Sequence, residues 1–272
     1  VILPHAVLPH ASAATLLPSE RHPAARPARP ARPVPPAPLS PALSKLLARL
    51  PVQDDGEALR QSLFHSGTHF NPDLLTSEAE RRARLEGVHA ALDRAESLVF
   101  LDTESTGGRN GRLIEVALVE TDVEQNVTGG LHFRCNPHRR SLAGARRVHG
   151  IQDCELEHCP EFAAREDELL EAVRGKTVVI HDRTMDLLWL NRELQAARPG
   201  APRFEDRCTV VDSFVLARAI PSERRRNGLD ALLEWYGLGA RGGHHDAYGD
   251  AALLSRVFFE LWWDLDEWLY GE

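Results

Sequence analysis

Residues 98–107 read Leu98-Val99-Phe100-Leu101-Asp102-Thr103-Glu104-Ser105-Thr106-Gly107. The apolar run from Leu98 to Leu101 predicts a buried strand, and Gly107-Gly108 supply the turn after it. Side chains at i and i+2 of a strand point to one face, so Asp102 and Glu104 continue the face of Leu98 and Phe100. Two carboxylates this close repel one another unless a proton or a cation intervenes. Hard divalent ions such as Mg²⁺ or Mn²⁺ take oxygen ligands of this kind. An Asp-x-Glu pair is also common where a strand enters a polar turn, so by itself it leaves a purely structural role open.

Outward from this strand, the pattern is α/β. Leu113 to Thr121 reads as a second strand and Gly130 to Cys135 as a third, with turn chemistry at Thr128-Gly129-Gly130. Three such strands form an antiparallel meander. Phe162, Leu169, Leu170 and Val173 mark a helix ended by Gly175. Thr177 to Ile180 is a β-branched strand, followed by a helix from about Thr184 to Ala197. Val210 and Val211 suggest a fifth strand, and Leu229 to Tyr236 a helix stopped by Gly237. The last helix runs from about Asp246 towards Trp263. This order predicts a mixed five-stranded sheet flanked by helices.

The chain has 272 residues and a net charge of −8. Its longest apolar runs are far short of a membrane span. Four cysteines are too few for a disulfide-built fold. Residues 1–50 hold six basic residues and one acid, a charge of +5, which leaves −13 on the remainder. A generally basic nucleic-acid coat is therefore excluded, and any nucleic-acid role needs a local site. Residues 1–42, rich in Pro, Ala and Arg, predict a disordered tail. Residues 43–96 predict a helical extension, with a capping box at Ser77-x-x-Glu80 and Leu85, Val88, Ala91 and Leu92 at helical spacing. Residues 97–272 are the expected α/β domain. Pro4 and Pro9 interrupt the first apolar stretch and no basic segment precedes it, so a cytoplasmic location is expected.

Two further signals carry chemistry. On the last helix, Asp250 shares a face with Leu254, Val257 and Leu261, and His245 lies five residues before it. An Asp on an apolar helical face is costly unless it is paired or ligates a metal. His181-Asp182 ends the strand Thr177–Ile180, and Asp186 lies one turn into the next helix. Asp186 also suits a simple acid in a first helical turn.

In this order, Asp102-x-Glu104, Asp186 and His245-x-x-x-x-Asp250 resemble the DnaQ-like family of 3′–5′ exonucleases, in its DEDDh subgroup. Asp102-Thr-Glu-Ser-Thr-Gly107 is similar to the family's first motif. Arg147-Val-His-Gly-Ile151 resembles the His-Gly-Ile element of the proofreading branch. His181, Asp186 and Leu190 fit the second motif, and His245-x-Ala247-x-x-Asp250 the third. The tyrosine variant requires Tyr at position 246, which is Asp246 here; His244 is a rival one residue out of register. The chain departs from the family at Asp182, usually Asn, and at Met185, usually aromatic.

The resemblance implies an RNase H-like fold and two divalent ions, Mg²⁺ or Mn²⁺. Asp102 would bridge the ions, Glu104 and Asp250 would hold the nucleophile-side ion, and Asp186 the other. His245 would be the general base, for which an imidazole suits neutral pH. Thr106, Gly107, His149 and His181 would touch the substrate strand. The implied partners are DNA 3′ ends, single-stranded, with a DNA polymerase or sliding clamp; Gln61-Ser-Leu-Phe64 resembles a clamp-binding peptide. The implied roles are proofreading and DNA repair. Two alternatives stand beside this reading: a 3′–5′ exoribonuclease, and a catalytically silent adaptor that binds nucleic acid or a polymerase.

Overall fold

A computed structural model describes residues 77–108 and 110–271. The expected tail (1–42), most of the helical extension and the Gln61–Phe64 peptide lie outside the described residues. The helix that is described, α1 (Glu78–Asp93), starts where its cap predicts: Ser77 Oγ accepts from the Glu80 N–H at 3.2 Å.

The strands are β1 (Ser97–Ser105), β2 (Leu113–Asp122), β3 (Val127–Arg134), β4 (Thr177–Ile180) and β5 (Thr209–Asp212). They form one sheet in the order β3-β2-β1-β4-β5. The first three pair antiparallel, and β1–β4 and β4–β5 pair parallel. The helices that follow are α2 (Ala143–His149), α3 (Asp153–Leu156), α4 (Glu166–Val173), α5 (Thr184–Ala197), α6 (Ser213–Ala219), α7 (Leu229–Tyr236) and α8 (Ala247–Tyr270).

Alternation along β1 splits the core in two. Leu98 and Phe100 join α1, α7 and α8 on one face, through Leu92, Leu233, Leu254 and Phe258. Val99 and Leu101 join α4 and α5 on the other, through Leu169, Leu190 and Leu194. The result is a mixed sheet with helices on both sides, the RNase H-like arrangement expected.

Three expectations need correction. The third strand begins at Val127 and ends at Arg134, so Thr128-Gly129-Gly130 lies inside it. Gly130 sits so close to β2 that a Cβ there would be 2.5 Å from the Leu118 carbonyl. The turn lies earlier, where Gln125 takes a left-handed φ of 73° and Asp122 accepts from the Asn126 N–H. The last helix continues past Trp263 to Tyr270. Two of its acids there are partnered: Asp264 with Arg224 and Tyr236, Asp266 with His89. Leu261, Leu265 and Leu269 keep the buried stripe. Finally, Phe162 lies in a separate 3₁₀ turn, Phe162–Ala164, ahead of α4 and not in that helix; α2, α3 and α6 are too short to give a periodic signal.

α8 is held on the sheet by Phe258, which is wholly buried and edge-on to Phe100 at 5.7 Å. Phe258→Ala should therefore cost about 3–5 kcal/mol in urea unfolding. A loss under about 1 kcal/mol would mean that α8 is not anchored there.

Candidate active site

The acid positions sit where β1 meets the start of α8. β1 is longer than its apolar run, so Asp102 and Glu104 are strand residues, opposite Ala117 and Glu115 of β2. They face the side that α8 covers. Asp246 caps α8 by accepting from the Gly249 N–H at 2.8 Å. Asp250 follows in the first turn, where the helix dipole favours an acid. One ligand atom each from Glu104, His245 and Asp250 lie within 4.8 Å of one another.

His245 and not His244 turns inward. Its N–H donates to the Val148 carbonyl at 2.9 Å. The His244 ring lies against Gly150, whose Cβ would sit 2.7 Å from it; Gly150 also has a φ of 73°. The glycine of the His-Gly-Ile element thus makes room for the loop that delivers His245.

Electrostatics tie the acids together. Burial, then the charges of Asp186, Asp250 and Glu104, hold Asp102 well above the usual carboxylate range. Burial, then Asp250, Glu115 and Asp186, push Glu104 up to about 8. Burial also raises Asp186, against a 2.6 Å hydrogen bond donated by Thr103 Oγ1. Burial raises Asp250, while Arg241 and His245 oppose it. Such a cluster retains protons unless a cation takes their place, and its oxygen and imidazole donors suit a divalent ion. The residues present therefore fit the implied metal.

The predicted substrate residues are built into the walls. Thr106 is fully buried and its Oγ1 accepts from the Arg112 N–H at 3.0 Å. Gly107 has a φ of 89°, and a Cβ there would lie 2.9 Å from the Ala145 Cβ. His149 is buried, with Nδ1 accepting from the Ile151 N–H at 3.0 Å. His181 packs edge-on to Phe214, its Nδ1 is 2.9 Å from Ser213 Oγ, and burial lowers its pKa to about 4. The ring nitrogens His149 Nε2 and His181 Nε2 are buried without a hydrogen-bond partner among the described residues. Asp182 holds a left-handed φ of 58°. Asn and Asp tolerate that conformation best among non-glycine residues, which accounts for Asp where the family usually has Asn.

Two residues at the site escaped the sequence reading. Glu115 is fully buried and accepts from the Ala247 N–H at the start of α8 (3.0 Å), from Arg134 Nε (2.8 Å) and lies 3.1 Å from His132 Nε2. Burial alone would raise its pKa; the hydrogen bonds from His132, Ala247 and Arg134 outweigh this and hold it at about 2. Arg241 places Nη1 at 2.5 Å from both Asp250 Oδ2 and His245 Nδ1. Arg224, by contrast, is buried against Tyr236 and Asp264.

An acid cluster at the strand end of an RNase H-like sheet defines a class of nucleic-acid hydrolases, and the comparisons narrow it. An exonuclease family model, RNase_T, matches residues 99–258, and the chain belongs to this family, in its DnaQ-like 3′–5′ branch. It is 34% identical over 168 residues to DNA polymerase III subunit epsilon of Rickettsia felis, covering 60% of this chain and 72% of the relative. To the same subunit of Escherichia coli it is 32% identical over 172 residues, covering 60% and 70%. Among solved structures, E. coli Exonuclease I with a dA16 oligonucleotide superposes with a TM-score of 0.51 at 22% identity. That match covers 61% of this chain and 42% of Exonuclease I. A 3′-exonuclease that recognises a histone mRNA stem-loop superposes with a TM-score of 0.52 at 14% identity, covering 62% and 83%. These two likenesses concern the fold alone. Among the described residues, no helix is long and apolar enough to cross a membrane.

The raised Glu104 pKa has a stability consequence. The native state binds the extra proton between pH 4.5, the ordinary value, and about 8. Its contribution is thus present below 4.5 and is lost as pH rises towards 8. In EDTA, Glu104→Gln should be more stable than the parent at pH 8 by on the order of 1–3 kcal/mol, with the gap closing near pH 5. Urea midpoints at the two pH values measure this; an equal gap at both would contradict it.

Proposed function

We propose that this chain is a metal-dependent 3′–5′ exonuclease of the DEDDh type that releases nucleotides from DNA 3′ ends. The observation that carries this reading is the convergence of Glu104, His245 and Asp250 beside the half-buried Asp102. Asp102, Glu104, Asp186 and Asp250 would hold two divalent ions, Mg²⁺ or Mn²⁺. Such ions, when bound, lower the pKa of the attacking water and stabilise the leaving 3′ oxygen. His245 would accept the water's proton on its imidazole. Glu115 fixes the start of α8 and so sets where His245 and Asp250 stand relative to β1. Gly107 permits close backbone approach by the terminal nucleotide, and Thr106 braces the loop that carries it. His149 and His181 would line the substrate strand from the walls.

DNA as substrate and a DNA polymerase as partner follow from the relatives, which are named as subunits of DNA polymerase III. Proofreading is the role this supports; single-strand preference, a repair role and a sliding-clamp contact extend the same reading. Residues 97–272 form the catalytic unit in this account, with α1 packed into its core through Leu85, Val88 and Leu92.

The test is a gel assay on 5′-labelled single-stranded DNA and RNA of one sequence, in Mg²⁺, Mn²⁺ or EDTA. A ladder shortened from the DNA 3′ end is expected, absent in EDTA and absent with Asp102→Ala. His245→Ala should lower kcat by roughly 10²–10⁴-fold. Faster RNA cleavage would reassign the substrate, and binding without cleavage of either strand would make the protein an adaptor.

A further inference from the structure

Arg241 stands inside the acid cluster. Its side chain is 16% exposed, and that of its partner Asp250 only 7%. A guanidinium only donates hydrogen bonds. Its Nη1 contacts at 2.5 Å therefore occupy an Asp250 oxygen and the His245 Nδ1 lone pair together. These are two of the three residues whose ligand atoms converge. A cation placed among those atoms would meet the guanidinium at short range, and two positive charges do not share one carboxylate oxygen cheaply.

The geometry also offers the side chain somewhere to go. Arg241 Nε already lies 2.8 Å from Asp230 Oδ1, on α7. A cavity of about 710 Å³ opens beside it, lined by Asp230, Glu234, Arg241 and His245. The loop between Arg241 and His245 is Gly242-Gly243-His244, and Gly243 has a φ of 50°. Glycine there permits backbone adjustment that other residues resist.

We propose that Arg241 is an internal counter-cation of the active site, which holds Asp250 and His245 until a divalent ion displaces it towards Asp230 and Glu234. The inference rests on the metal-site reading above and deepens it. Arg241 is then a positioning residue. It offsets acid repulsion while the ion is away, and it keeps the imidazole lone pair engaged until the ion arrives. Metal affinity is set lower than the carboxylates alone would give, because each ion must compete with the guanidinium.

Mn²⁺ alone, titrated without nucleic acid and followed by the electron paramagnetic resonance of the free ion, tests this. Arg241→Gln should bind Mn²⁺ about tenfold more tightly than the parent, with Arg241→Lys between them. In EDTA, Arg241→Gln should melt below the parent, and in saturating Mg²⁺ at the parent's temperature. Should the Gln variant fold poorly, the Arg241 Nε–H signal of ¹⁵N-arginine-labelled parent, identified by its loss in Arg241→Lys, must shift on adding Mg²⁺. A parent that binds no Mn²⁺ would sink the metal-site reading itself. A parent that binds it, with Arg241→Gln no tighter or with an unmoved Arg241 signal, would overturn the counter-cation alone.

Discussion

The repulsion among Asp102, Glu104, Asp186 and Asp250 is the constraint around which this structure is organised. Buried carboxylates without compensation keep their protons, and protonated acids are poor metal ligands. The fold nevertheless brings them together from β1, α5 and α8. It does so by placing compensation at fixed points. Thr103 donates to Asp186 from the opposite face of β1, and Arg241 donates to Asp250. The α8 dipole favours Asp250 in its first turn.

Glu115 shows how a second buried acid serves a different end. It lies directly across from Glu104 in the β1–β2 pairing. Yet Glu115 is held ionised at about 2 while Glu104 is pushed to about 8. The difference is the number of donors each meets. Glu115 receives Arg134, His132 and the Ala247 N–H, which ties the start of α8 to the sheet. Glu104 faces other acids. One carboxylate anchors the helix, and its neighbour is the one proposed above as a metal ligand.

Much of this was legible in the chain. The i, i+2 spacing put Asp102 and Glu104 on one face, and the observed pairing places them there. The strand Thr177–Ile180 and the helix read from about Thr184 to Ala197 follow their sequence patterns. Asp250 stood out because it interrupts an apolar stripe. What was not legible depends on contacts distant in sequence. Glu115 meets Ala247 across 132 positions, and nothing local distinguishes it from any acid in a strand. Arg241 reads as one more loop arginine before Gly242-Gly243. Gly129-Gly130 reads as a turn because glycine serves equally well where another strand approaches closely. The burial of Thr106, of His149 and of the His181 Nε2 atom is a packing outcome that no short motif encodes.

The most direct test of the account is the number of protons released when Mg²⁺ binds. Calorimetric titration at pH 7, in two buffers of different ionisation heat, reads that number from the difference in apparent enthalpy. Release of about one proton or more per protein is expected, because a cation replaces the protons that burial keeps on Glu104 and its neighbours. Release should fall in Glu104→Gln. Tight Mg²⁺ binding with no proton release would contradict the claim that acid repulsion governs this site.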